Sequence, residues 1–172
     1  DGENPYDLLA AAVGSVARVG VSDALPALHV VPIGERLGIR LELATPVLRE
    51  GRMIKDAAEV AELRRAGEAI DAVHRRVPEW LHAGRTEREV AADIAEAIVA
   101  EGHETVEFVI VGSGPNGADP HHEVSDRVIE DGDIVVVDIG GAVPSGYNSD
   151  STRTYVVGTP APEAAERIAV LV

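Results

Sequence analysis

Cysteine is absent from the 172 residues, which excludes disulfides and thiolate metal sites and is consistent with a cytosolic, cytoplasmic location. Long apolar runs are absent too. None reaches the roughly 18 residues of a spanning helix, so no membrane crossing is expected. Basic residues are scarce, 15 against 30 acidic ones, for a net charge of -15. That balance disfavours a nucleic-acid backbone or an anionic membrane as partner and matches a solvated acidic surface. Internal repeats and low-complexity tracts are also missing.

What is present belongs to a globular protein. With 45% hydrophobic and 26% charged residues, the chain fits neither the disordered nor the membrane class. Its length suffices for one substantial core, or for one domain and a piece of another. The chain starts on Asp1 and closes on "APEAAERIAVLV", which reads as a helix getting under way. Both ends are therefore expected to be cut from a longer polypeptide.

The first fifty residues alternate helical and extended patterns. Pro5 leads a helix over "YDLLAAAVGSV", "ARVGVSD" reads as a short strand, "DALPALHVVPIGERLG" as a helix or loop-helix, and "IRLELA" alternates with a period of two. Residues 1–50 are expected to be the closing part of an α/β domain, with "TPVLREGR" as the link onward. A long amphipathic helix follows from about Asp56, with Val60, Leu63, Ile70, Val73 and Val77 near one face. Pro78 ends its regular run, and "EWLHAG" extends it by a turn at most. Thr86-Glu-Arg-Glu89 has the form of a capping box opening a second helix through Val90, Ile94 and Ile98 to Gly102. Beyond Gly102 the period becomes extended: "VEFVIVGSG", "DIVVVDIGG" and "SDSTRTYVVG" read as the strands of a meandering sheet.

Two carboxylates flank the turn between the last two strands. Asp138 closes an apolar strand, and Asp150 follows twelve residues later across Gly140, Gly141, Pro144 and Gly146. A turn centred on Pro144 sets Asp138 opposite Asp150, with Cβ atoms roughly 5 Å apart. Two ionised carboxylates at that distance repel by roughly 3 kcal/mol at an effective dielectric of 20. A shared proton or a cation must offset this, and a hard divalent ion is the better partner for carboxylate oxygens at neutral pH. The competing reading is that each aspartate caps backbone groups at a strand end.

"VIVGSGPNGADPHH" carries the letters G-x-G-x-x-G after a strand. A dinucleotide site needs a helix to begin within that motif, and Pro115 and Pro120 bracket a stretch without helical periodicity. The loop is better read as presenting His121, and with it His122, to a site where a histidine binds substrate or passes a proton to a leaving amine. The alternative is a surface histidine without a role. His29, His74, His82 and His103 read as structural or exposed.

In order along the chain, "GSGPNGADPHH", "VVVDIGG" and "GYNSDSTRTYVVG" resemble the M24 metallopeptidases, specifically the Xaa-Pro dipeptidase (prolidase) and aminopeptidase P branch. "MIKDAAEVAELRRAGEAID" and "GRTEREVAADIAEAIVAEG" resemble the two helices that open the catalytic domain of that family. The resemblance implies an α/β (α+β) chain. Residues 51–172 would be the N-terminal half of a pita-bread (creatinase/aminopeptidase) domain, and residues 1–50 the end of a creatinase-type N-terminal domain.

It further implies that Asp138 is the first metal-ligand aspartate, Asp150 the bridging one, and His121 the histidine that contacts substrate near the scissile bond. Two divalent ions, manganese with cobalt or zinc as alternatives, would hold the hydroxide that attacks the peptide bond before proline. The substrate would be a small peptide with proline in second position, and the assembly a homodimer. The segment between the aspartates is one residue longer than the family spacing. The family's remaining ligands, a histidine and two glutamates, are expected beyond Val172, so this chain alone is expected to be inactive. A pita-bread protein reduced to a binding module, a metal-free hydrolase of the creatinase type and a methionine aminopeptidase are the competing readings. The aspartate pair opposes the first two, and the segment ahead of Arg52 opposes the third.

Overall fold

Two compact units, Asp1–Asp56 and Ala57–Val172, divide the chain. The computed structural model describes residues 4–171, with side chains through Glu166. In the first unit, Asn4 caps α1 (Pro5–Val13) by accepting from the Tyr6 N–H at 2.9 Å. β1 (Gly20–Val21) and β2 (Glu42–Leu43) pair in parallel, with α2 (Ala27–Leu37) between them in sequence. The stretch expected to be a link, "TPVLREGR", instead forms α3 (Thr45–Met53). Proline is well placed in a first turn, where its missing N–H is not needed, and the N–H groups of Val47 and Leu48 bond to the Ala44 carbonyl.

The second unit opens with α4 (Ala57–Trp80), which carries Pro78 within its last turn. α5 (Glu87–Ala100) begins at the expected capping box: Thr86 Oγ1 accepts from the Glu89 N–H at 3.2 Å, and Glu89 Oε2 accepts from the Thr86 N–H at 2.8 Å. β3 (Thr105–Ser113), β4 (Ile134–Ala142) and β5 (Ser151–Val156) then form an antiparallel meander in that order, followed by α6 (Pro162–Leu171).

Alternation along β4 sets the two faces of the sheet. Val135, Val137 and Ile139 are buried against Ile70, Val73 and Val77 of α4 and Val90, Ile94 and Ile98 of α5. Each such side chain removed from water is worth about 1.5–3 kcal/mol, so this face anchors the unit. Val136 and Asp138 lie between them on the opposite, half-exposed face. Val60 and Leu63, expected on the core face of α4, are 41% and 39% exposed, and the buried stripe begins at Ala66.

The hairpin register corrects the expected pairing. Asp138 pairs with Thr152 and not with Asp150, and Ile139 pairs with Ser151. The turn is centred on Ser145, because Val143 N–H bonds to the Tyr147 carbonyl at 2.9 Å and leaves a three-residue loop. Such loops close through a left-handed third residue, and Gly146, at φ 82, supplies it.

Candidate active site

A single row crosses the outer face of the sheet. Ile110 of β3, Asp138 of β4 and Thr152 of β5 are successive partners in the ladder. The Thr152 hydroxyl donates to Asp138 Oδ1 at 2.7 Å. Asp138 and Thr152 open onto a cavity of about 270 Å³, whose other wall is the chain after β3: Gly117, Ala118, Asp119 and Pro120.

Asp150 reaches the same side by alternation. Ser149 is buried, Asp150 exposed, the Ser151 carbonyl accepts from the buried His74 at 3.0 Å, and Thr152 is exposed again. Asp138 and Asp150 are therefore diagonal neighbours, at about 7–8 Å, and not directly opposed. The repulsion falls to about 2 kcal/mol, still enough to favour a cation nearby. Both are hard oxygen donors of the kind divalent ions take. Among the described residues, no three histidine, cysteine or acidic side chains come together as a metal site.

The loop after β3 is not a dinucleotide cradle. Its glycine motif forms a five-residue 3-10 turn, Gly114–Ala118, with no α-helix N-terminus for a pyrophosphate. The turn folds back so closely that a Cβ on Gly112 would come within 3.0 Å of the Asn116 carbonyl oxygen. Packing, not phosphate binding, accounts for glycine there. His121 follows this wall directly and is exposed, with its N–H donated to Asp119 Oδ1 at 2.9 Å.

The residue that sequence reasoning missed is Glu87, which had registered only as the second letter of the capping box. Its side chain is 0% exposed. Oε1 accepts from Ser113 N–H (2.8 Å), Ser113 Oγ (2.7 Å) and Asn116 Nδ2 (3.0 Å). Oε2 accepts from His122 Nε2 (2.8 Å), Ser125 N–H (3.2 Å) and Ser125 Oγ (2.7 Å). Burial pushes the Glu87 carboxyl up, but donation from Ser113, Ser125 and His122 outweighs it and holds the group at about 2. Arg127 extends the network, donating to Ser113 Oγ at 2.6 Å and pairing in bidentate fashion with Asp133 at 2.6 and 3.1 Å. An acidic residue in the first turn of a helix gave no sign of this, since its partners lie 26 to 38 residues away.

Of the histidines read as structural or exposed, His74 and His103 are buried and His82 is exposed. His74 is buried, with Nδ1 2.9 Å from the Tyr155 hydroxyl, and burial pushes its pKa down. His103 is buried between the Ile98 carbonyl and the Ser149 hydroxyl.

Comparison with known proteins agrees with this architecture. The model of "Metallopeptidase family M24" matches residues 61–172, well over half of the chain. The chain belongs to this family. Among curated relatives, the "Probable dipeptidase PepE" of Mycobacterium tuberculosis is 58% identical over 172 residues, which cover 99% of this chain and 46% of that protein. The crystal structure of dipeptidase PepE from Mycobacterium ulcerans superposes with a TM-score of 0.89 at 60% identity, covering 99% of this chain and 46% of that one. The prolidase from Pyrococcus horikoshii OT3 superposes at 0.86 with 32% identity, over 96% of this chain and 48% of that one. The M24 chain described here thus spans about half the length of the relatives it matches, and its fold is that of part of a pita-bread protein. Peptidases of the M24 family are metal-dependent hydrolases. No helix among the described residues is long and apolar enough to cross a membrane.

Proposed function

We propose that the polypeptide carrying this chain is a dinuclear-metal peptidase that cleaves the bond preceding proline, with Xaa-Pro dipeptides as its substrate class. The observation that carries this reading is the row Asp138–Thr152 at the mouth of the cavity, with Asp150 on the same side of the sheet. Relatives named dipeptidase and Xaa-Pro dipeptidase support the substrate class. Asp138 and Asp150 would hold the ions, manganese first among them, and Thr152 would fix the orientation of the Asp138 carboxylate. When bound, such ions supply an activated water and polarise the scissile carbonyl. His121, at the end of the cavity wall, would bind the substrate and hand a proton to the leaving proline nitrogen. Residues 1–50 would belong to a separate N-terminal domain and residues 51–172 to the catalytic one, in a cytoplasmic homodimer.

The test compares the polypeptide at its natural length with its Asp150→Asn variant after loading with manganese. Hydrolysis of an Xaa-Pro dipeptide by the former, with reduced metal content and activity in the latter, is expected. Unchanged metal content in Asp150→Asn contradicts the ligand assignment, and cleavage of Xaa-Pro-Xaa but not Xaa-Pro makes the enzyme an aminopeptidase. The 172-residue chain by itself should show no turnover, because its described residues bring only two carboxylates to the site and no group of three metal-binding side chains.

A further inference from the structure

Glu87 is buried more deeply than any of the residues assigned to chemistry, yet every one of its side-chain bonds ends on a segment that builds the cavity wall. Ser113 closes β3, Asn116 sits in the 3-10 turn, and His122 and Ser125 bracket the far end of the loop. The backbone adds two ties, from the Glu87 N–H to the Arg127 carbonyl at 3.1 Å and from the Arg88 N–H to the Ser125 carbonyl at 3.1 Å. The segment between Asn116 and His122, which supplies the wall and His121, is thus held at both ends by one carboxylate.

The pairing also sets the state of the His122 ring. An ionised carboxylate only accepts, so His122 Nε2 carries the hydrogen that fills the 2.8 Å contact. A ring fixed at Nε2 cannot rotate freely, and the backbone it shares with His121 is fixed with it.

We infer that Glu87 and His122 form a positioning pair that holds the loop over residues 114–125, and with it His121, against the Asp138 side of the sheet. The inference rests on the peptidase reading for its consequence in catalysis, but not for the geometry itself. Neither residue lines the cavity beside Asp138. They act through His121, and a displacement of about 1 Å in a group at the reacting centre costs about 100-fold in rate.

Three variants of the natural-length polypeptide test this: His122→Ala, His122→Gln and Glu87→Gln. His122→Ala should lower kcat/KM on an Xaa-Pro dipeptide by about 100-fold, most of it in kcat. His122→Gln keeps a side-chain N–H that can donate to Glu87 and should restore most of the loss. Wild-type kcat in His122→Ala, equal losses in the alanine and glutamine variants, or a loss carried by KM alone overturns the inference. The imidazole ¹H–¹⁵N spectrum gives a readout independent of activity. Wild-type protein should show a slowly exchanging His122 Nε2–H, absent in Glu87→Gln, with the His121 ring resonances displaced in both Glu87→Gln and His122→Ala. If the wild type hydrolyses no Xaa-Pro peptide, the activity reading fails and this spectrum alone decides: a rapidly exchanging His122 or an undisturbed His121 overturns the pair.

Discussion

The Thr152 hydroxyl donates to Asp138 Oδ1 at 2.7 Å across the β4–β5 ladder. That bond limits rotation of a carboxylate whose residue lines the cavity. Thr152→Val keeps the branched shape suited to a strand and removes only the donor. Stability should stay within about 0.5 kcal/mol, since the position is exposed. Metal affinity of the natural-length polypeptide should fall by about tenfold, the lower end of what losing an outer-shell partner costs. Titration calorimetry with manganese measures it.

Acid should weaken the second unit through Glu87. Its folded-state pKa lies near 2 against an ordinary 4.5, so its contribution is complete above about 4.5 and disappears as pH falls toward 2. Up to about 3 kcal/mol is at stake. Urea midpoints at pH 6, 4 and 2.5 should show the decline. Glu87→Gln should be less stable at pH 6 and show a shallower loss below pH 4.5.

His74 is expected to act at milder pH. Burial, then the nearby Arg153 charge, lowers its pKa despite its bond to the Ser151 carbonyl and the opposing fields of Asp71 and Asp138. The neutral ring is the one the fold prefers, so this stability is present above the unfolded value near 6.5 and is lost as pH falls below it. Tyr155→Phe removes the hydroxyl at 2.9 Å and should cost about 1–2 kcal/mol in the urea midpoint at pH 7.5.

Gly146 separates backbone strain from packing. A Cβ there would meet nothing within 4 Å, but φ is +82. Gly146→Ala should therefore cost about 1–2 kcal/mol by strain alone, and Gly146→Asn less, because asparagine tolerates the left-handed region. Thermal unfolding of the two variants ranks them. Equal losses would mean that the turn relaxes into another type.

The period of the apolar residues made α4, α5 and the three strands legible, and the capping box at Thr86 marked its helix correctly. The turn was misplaced by one residue because Pro144 is a strong turn former, whereas the closing condition is set by the left-handed Gly146. That shift of centre moves every cross-strand partner by two and turned an opposed aspartate pair into a diagonal one. α3 went unseen for a different reason: its nine residues include Pro46 and Gly51, which read as breakers although the first sits harmlessly in the opening turn. Asp138 and Asp150 could be picked out because acids are unusual beside apolar strands. Glu87 could not, since an acid in a first helical turn is what the helix dipole favours in any protein.

The dipeptide Thr86-Glu87 joins two jobs in adjacent residues, with the hydroxyl closing the helix start and the carboxylate tying down the distant loop. Fraying of the first turn of α5 therefore carries the Glu87 anchor away with it, leaving the loop only weaker ties such as those from Arg127 to Ser113 Oγ and from Asn116 Nδ2 to Ser125 Oγ. The amides of Ser113 and Ser125, both bonded to this carboxylate, should open in the same event as the Glu89 amide, so that helix start and cavity wall exchange with solvent as one cooperative unit.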